Sequence, residues 1–453
     1  MPTLPVSLRA RIPAPRRPDR PPTRFPTRPP ASVARLRAAV TALFVLDGAV
    51  FGSWASRVPD VAATVGADHT ALGVALLCLS LGALVFMRMT GGLCARFGSG
   101  PVAAVAAVLV SLTAGLPGLV STVAGLCLTL FVFGAATGMV NVAANAVGVE
   151  VEARAGRPLL SGLHAGFSFG GLGGALVGGA AAEVLGVAPH LALVAAAGLF
   201  VSAWTLPVLT ATERRAAHPA EPAAPDEPQG SRRPTGVLVV LGAVAGCTAF
   251  GEGALTDWGA LLLRQELAAP ATLAAAGYAG FSLAMAFGRL AGGRLLQAWG
   301  ERRLLVGGTL LAAAGALAAV TTSTLWVALA GFVVVGLGLA NVFPLAIARA
   351  GVLGGAPGIA LATTVGYTGL LGGPPAIGLL AEVAGLPVAL TSVAALALVA
   401  AGLVLTLAGD AVRVSTPRAV VTRAGARLQP LVAGFGHGAG VYVRDLELLV
   451  PGR

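Results

Sequence analysis

"GGLGGALVGGAAAEVLG", residues 170–186, returns about 200 positions later as "GLLGGPPAIGLLAEVAG", residues 369–385, with Gly170/Gly369, Gly173/Gly372, Gly174/Gly373 and Glu183/Glu382 in register. A single glycine-rich match means little in a chain with 63 glycines among 453 residues. Two more matches occur at nearly the same offset. "GMVNV" (138–142) lies over "GLANV" (338–342), and "GGLCARFG" (91–98) over "GRLLQAWG" (293–300). Three matches at nearly one shift, between segments of like rank, describe two similar halves joined in parallel. Membrane transporters are built from such repeats, with the solute site at the midplane between them.

Composition says what the halves are made of. The chain is 56% hydrophobic and 11% charged, against roughly 25% charged in a soluble domain. Its glycine content is about twice average usage and suits closely packed membrane helices. About 20 apolar residues cross a hydrocarbon core. Twelve windows meet that test, near 37–56, 71–93, 101–120, 122–147, 160–182, 190–209, 236–258, 271–293, 304–321, 324–347, 359–381 and 386–408. The polar segment "ATERRAAHPAEPAAPDEPQGSRRPTG" (211–236) divides them six and six. The predicted architecture is an all-α integral membrane protein of twelve transmembrane helices in two pseudo-symmetric six-helix bundles. Its parts are a disordered Pro/Arg-rich tail (1–34), an N-terminal bundle (35–210), a cytoplasmic linker (211–235), a C-terminal bundle (236–408) and a cytoplasmic tail (409–453).

The net charge of +11 would suggest nucleic acid if it were spread over a folded face. It is not. Residues 1–37 hold nine arginines against one aspartate and residues 409–453 hold six against three acids, so the tails account for all of it. Such tails favour the anionic inner membrane surface. Every basic residue is arginine, which reflects a GC-rich genome rather than a function. The N-terminal stretch lacks an apolar core and is no signal peptide. With both termini cytoplasmic, 28 of the 30 arginines fall in or toward the cytoplasmic side and only Arg57 and Arg264 lie outside, the bias the positive-inside rule requires. Cys78, Cys94, Cys127 and Cys247 have no metal spacing and read as small hydrophobes. No cofactor or metal is expected.

One acid stands out. In "VTALFVLDGAVFGSW" (40–54), Asp47 sits roughly 15 Å into the first helix, near the midplane of a ~30 Å core. An ionised carboxylate there is costly unless it is paired or wet, and such residues mark function by default. A carboxyl whose surroundings alternate between wet and dry can load and unload a proton. Glu252 and Asp257, in the outer part of helix 7, are further proton-coupling candidates. Five residues apart, they point about 140° from each other and cannot form one dyad. Interfacial anchoring beside Trp258 is their structural reading.

The only asparagines are Asn141, Asn145 and Asn341, in the inner thirds of helices 4 and 10. Asn141 and Asn145 share a helix face, and their amides suit a hydroxylated solute. Interhelical hydrogen bonding is the alternative. His164 at the entry to helix 5 is a further binding candidate, as are Trp54, Phe167, Tyr278 and Tyr367, which either stack on a sugar or fill space. Arg88 and Arg289, toward the inner ends of helices 2 and 8, and Arg96 are candidates for gating. Gly170, Gly174 and Gly178 give helix 5 a smooth face for close approach. Pro374 and Pro375 interrupt helix 11 and predict a kink.

The 6+6 arrangement resembles the major facilitator superfamily over the whole chain except its tails. "GGLCARFG" keeps Gly91, Leu93, Arg96 and Gly98 of the family's signature between helices 2 and 3, but has Ala95 where the acid belongs, and the second copy has Gln297. "FGSWASRVPD", "VNVAANAVGVEVE", "GRPLLSGLHAGFSFGG" and "EGALTDWGALLLR" resemble the fucose-permease-like branch. That resemblance implies an acid at the position of Asn141, sharing proton coupling with the helix 1 acid. Asn141 cannot titrate, so coupling rests on Asp47, on another acid, or is absent.

The expected function is secondary active transport of a small polar solute, a sugar among the candidates, by alternating access. Proton coupling is preferred, in a monomer of the cell membrane whose partners are solute, proton and lipid. A drug or metabolite exporter is the alternative, weakened because helix 5 lacks the Gly-Pro of many family exporters. A non-transporting sensor comes next. An enzyme is not expected, since no nucleophile with its base, metal cluster or phosphate loop is present.

Overall fold

A computed structural model describes residues 31–155, 159–211 and 235–407. Residues 1–30 of the predicted N-terminal tail, the predicted C-terminal tail and the central linker between 211 and 235 lie outside the described residues, whereas residues 31–34, expected to be disordered, begin the first helix. The elements are α1 (Ala31–Val65), α2 (His69–Phe97), α3 (Ser99–Ala114), α4 (Val123–Ala155), α5 (Leu160–Ala182), α6 (Val187–Ala211), α7 (Thr235–Glu266), α8 (Ala271–Trp299), α9 (Glu301–Thr321), α10 (Leu325–Leu339), α11 (Val342–Ala384) and α12 (Leu386–Thr406). Eleven stretches of these are long and apolar enough to cross a membrane. One runs from Leu325 to Gly355 and spans α10 and the start of α11. The chain turns at Gly355 (φ 60°, ψ −151°), and the rest of α11 forms the remaining crossing. That last stretch is diluted by threonines, Tyr367 and the proline pair. Gly355 is thus the turn between two crossings, in a conformation open to glycine, while α11 keeps helical backbone angles at Pro374 and Pro375, where a kink was expected.

The two halves pack alike. In the first, α1 lies on α5, α2 on α4 and α3 on α6; in the second, α7 lies on α11, α8 on α10 and α9 on α12. The α1–α5 contact is backbone to backbone. A Cβ at Gly170 would stand 2.1 Å from the Val45 carbonyl oxygen, and one at Gly174 2.1 Å from that of Ala49. The repeat-related Gly369 sits as close to Gly246 of α7, at 2.0 Å. Large apolar side chains on the outer wall, such as Phe200 (77% exposed) and Val383 (82%), are left facing outward, as lipid contact requires.

Between the halves, α5 packs on α8 and α2 on α11. Polar ties cluster at the face that carries the α1–α2 and α7–α8 connections. There Arg264 pairs with Asp60, His69 Nε2 meets Gln265 Oε1 at 3.2 Å, and Glu183 and Glu382 reach Thr272 and His69. Toward the opposite face, a recess of about 500 Å³ runs along α1, lined by Ala34, Arg37, Ala38, Thr41, Ala42 and Val45.

Candidate functional site

The centre of the molecule is set by where α5 meets α8. A Cβ at Gly171 would stand 3.4 Å from the Tyr278 hydroxyl and 3.6 Å from Ser282 Oγ, so these two α8 side chains abut α5. Tyr278, Ser282, Met285 and Arg289 follow at helical spacing on one stripe of α8. His164, Phe167 and Gly171 do the same on α5. Below the Gly171–Tyr278 contact, Arg289 and His164 therefore lie on stripes that face the space between the halves. The His164 ring meets Phe44 of α1 edge-on at 5.1 Å.

Arg289 is not alone there. Its Nη2 lies 3.3 and 3.4 Å from the two carboxylate oxygens of Glu252 on α7, and its Nε donates to the Ala340 carbonyl at 3.4 Å. Ala340 is at the break between α10 and α11, where Asn341 donates through Nδ2 to the Gly288 carbonyl at 2.9 Å. Asn341 thus ties the break to α8. Asn145 donates to the Asn141 carbonyl at 2.7 Å along α4, and Asn141 itself is exposed. The pairing of Glu252 with Arg289 puts them at one depth. Helix α7 continues to Glu266, so Glu252 lies near its middle rather than in its outer part.

Asp47 is buried on α1 at 7% exposure. Its Oδ1 has no hydrogen-bond partner among the described residues, and neither has Trp54 Nε1. Seven residues apart, these two share a face of α1. Trp54 turns that face toward α4, where its ring meets Phe133 edge-on at 6.4 Å. Asp257 is also buried, on α7. Trp258 beside it is 0% exposed and packs near His69 of α2, with ring centroids 6.3 Å apart. It is a core residue, not a headgroup anchor. Tyr367 is half-buried on α11.

The structure adds a group that the sequence reading did not assign to a site. Arg57 is 1% exposed and makes three bonds, from Nε to His190 Nδ1 (3.1 Å), from Nη1 to Asp60 Oδ2 (3.1 Å) and from Nη2 to the Leu185 carbonyl (2.8 Å). The other Asp60 oxygen takes Arg264 from α7 of the opposite half. These are the two arginines that the charge count left on the outer side, which was the available signal.

No family model matches the chain. An uncharacterised MFS-type transporter of Yersinia pestis is 35% identical over 362 residues, 79% of this chain and 92% of that protein. The chain belongs to the major facilitator superfamily. The membrane protein MosC of Rhizobium meliloti is 30% identical to this major facilitator over 80% of its length and 88% of MosC. Among solved structures, a bacterial homologue of the lysosomal transporter Spinster in an inward-facing, occupied conformation aligns at TM-score 0.65 and 16% identity, covering 83% of this chain and 96% of that one. The D-xylose–proton symporter aligns at 0.66 and 13%, covering 83% and 97%. At such identities the likeness shows the fold. The relatives are transporters, not enzymes, and so is this multi-pass membrane protein. In this major facilitator the signature arginine, Arg96, is exposed at the end of α2, with its guanidinium 5.1 Å from the Phe97 ring centroid, and Arg88 is exposed about two turns earlier on the same helix.

Proposed function

We propose that the protein is a proton-coupled secondary transporter of the cell membrane, with both termini cytoplasmic, that moves a small polar solute inward by alternating access. The observation that carries the reading is Asp47, a carboxyl buried in mid-helix with an unpartnered oxygen. A carboxyl held dry in one state and wetted in another takes up a proton on one side and releases it on the other. The solute would sit between the halves against Glu252, Arg289, His164, Phe167 and Tyr278. Charged and hydrogen-bonding groups beside aromatic rings suit a hydroxylated molecule of sugar size. The sequence resemblance to the fucose-permease-like branch supports a sugar, as do the xylose–proton symporter and the nucleoside transporter NupG among proteins of the same fold.

The test uses proteoliposomes loaded with a pH-sensitive dye and challenged with a panel of sugars, polyols and nucleosides. The expected result is solute-driven lumenal acidification that Asp47→Asn abolishes. Solute entry without a pH change, equal in both proteins, overturns proton coupling. Acidification that survives in Asp47→Asn moves the coupling to another acid, with Glu252 next to be replaced.

A further inference from the structure

The repeat ends on a carboxylate in each half, Glu183 and Glu382, and both reach across to the other half. Glu183, just past the end of α5, accepts at Oε1 from the backbone N–H of Thr272 (3.3 Å) and from its hydroxyl (3.2 Å). Thr272 is in the first turn of α8, whose own N-cap is Pro270 and supplies no side-chain cap. The first N–H groups of a helix have no partner within it, so part of the α8 cap comes from the opposite half of the molecule. Glu382, in the last turn of α11, stands 3.7 Å from Nδ1 of His69, the first residue of α2. That helix has its own cap, Asp68, which accepts from the Ala71 N–H at 2.7 Å.

We infer that Glu183 and Glu382 are a pseudo-symmetric pair of latches that hold the α1–α2 face shut. Each closes on the first turn of a helix in the other half, where the helix dipole favours negative charge. Each contact joins elements that must part when the halves rock that face open. Glu183 is the stronger latch, because it fills a cap that α8 lacks, whereas Glu382 meets only a side chain beside a cap already made. The inference rests on alternating access but not on proton coupling or on the identity of the solute.

The test measures the distance across the closed face between spin labels at Leu119→Cys and Ser323→Cys, in a background with Cys78, Cys94, Cys127 and Cys247 replaced by alanine. Leu119 is in the α3–α4 connection and Ser323 in the α9–α10 connection. Glu183→Ala is expected to raise the long-to-short population ratio roughly two- to five-fold, the worth of one charge at a helix terminus. Glu382→Ala should raise it less, and the double variant by the product. Glu183→Gln keeps the side chain's size and its acceptor, and should fall between wild type and Glu183→Ala. Thr272→Val, which keeps the backbone donor, should also shift the ratio less than Glu183→Ala. A monodisperse double variant with the wild-type ratio overturns the inference, as does a shift toward the short distance. A protein that shows the shift but moves no solute keeps the latches and sinks the transport reading instead.

Discussion

Arg57 is 1% exposed, and the planar guanidinium fork accounts for its burial by aiming its donors at three acceptors in different directions. Arg57→Met should therefore cost roughly 1–3 kcal/mol, because it leaves the Leu185 carbonyl and His190 Nδ1 without their donor. Arg264→Ala, at a side chain 34% exposed, should cost under about 1 kcal/mol. Thermal unfolding in detergent ranks the two, and the reverse order would count against Arg57 as the buried anchor. The Glu252–Arg289 pair makes a different demand. Its side chains are 31% and 38% exposed and face the space between the halves, so removing one leaves a lone charge at membrane depth. Glu252→Gln and Arg289→Gln should each destabilise, and the double variant should recover part of the loss. The coupling in that cycle is expected to be on the order of 0.5–3 kcal/mol. Strict additivity would mean that the two charges act independently.

At the scale of helices, the close approach of α1 and α5 depends on which glycines face inward. A Cβ at Gly174 would stand 2.1 Å from the Ala49 carbonyl oxygen, while one at Gly173 would meet nothing within 4 Å. Gly174→Ala should cost roughly 1–3 kcal/mol or more by forcing the helices apart. Gly173→Ala should be neutral or stabilise by up to about 1 kcal/mol. Equal unfolding midpoints for the two would refute the backbone-to-backbone packing. This smooth face was legible in the sequence because spacing alone puts Gly170, Gly174 and Gly178 on one stripe. Helix ends were less legible. Apolar windows mark what lipid touches, whereas α1 runs on through Pro59 to Val65 and α7 to Glu266, because a helix continues past the apolar span wherever its polar end groups find partners. The turn at Gly355 falls in the gap left between the apolar windows 324–347 and 359–381, though nothing in "GVLGGAPG" distinguishes it from Gly354, while Pro374 and Pro375, where a kink was expected, lie inside α11 with helical backbone angles. The site was legible as residue types but not as pairs. Depth along one helix does not say which way two helices are rotated toward each other, so Glu252–Arg289 emerges only once α7 and α8 are packed, and Asp60–Arg264 only once the halves are.

For the molecule as a whole, the polar ties between the halves cluster at the α1–α2 face, and the recess along the Ala34–Val45 stretch of α1 lies toward the other. In the proposed orientation, with both termini cytoplasmic, the α1–α2 face is the outer one, and of the arginines only Arg57 and Arg264 lie on that side. In that orientation a sealed α1–α2 face would leave the stripe of His164 and Arg289 within reach of the cytoplasm and out of reach of the exterior. A single reporter tests both steps. In a cysteine-free background, His164→Cys should react severalfold faster with a membrane-impermeant maleimide in inside-out vesicles than in right-side-out ones. Asp60→Asn, which removes a carboxylate shared by Arg57 and Arg264, should narrow that difference by letting the outer face open more often. Faster labelling from the exterior in the parent protein would reverse the orientation drawn from the arginines. Equal labelling from both sides, with intact vesicles, would mean that the contacts at the α1–α2 face do not seal it, and the ion pair at Asp60 would then be a feature of stability rather than of access.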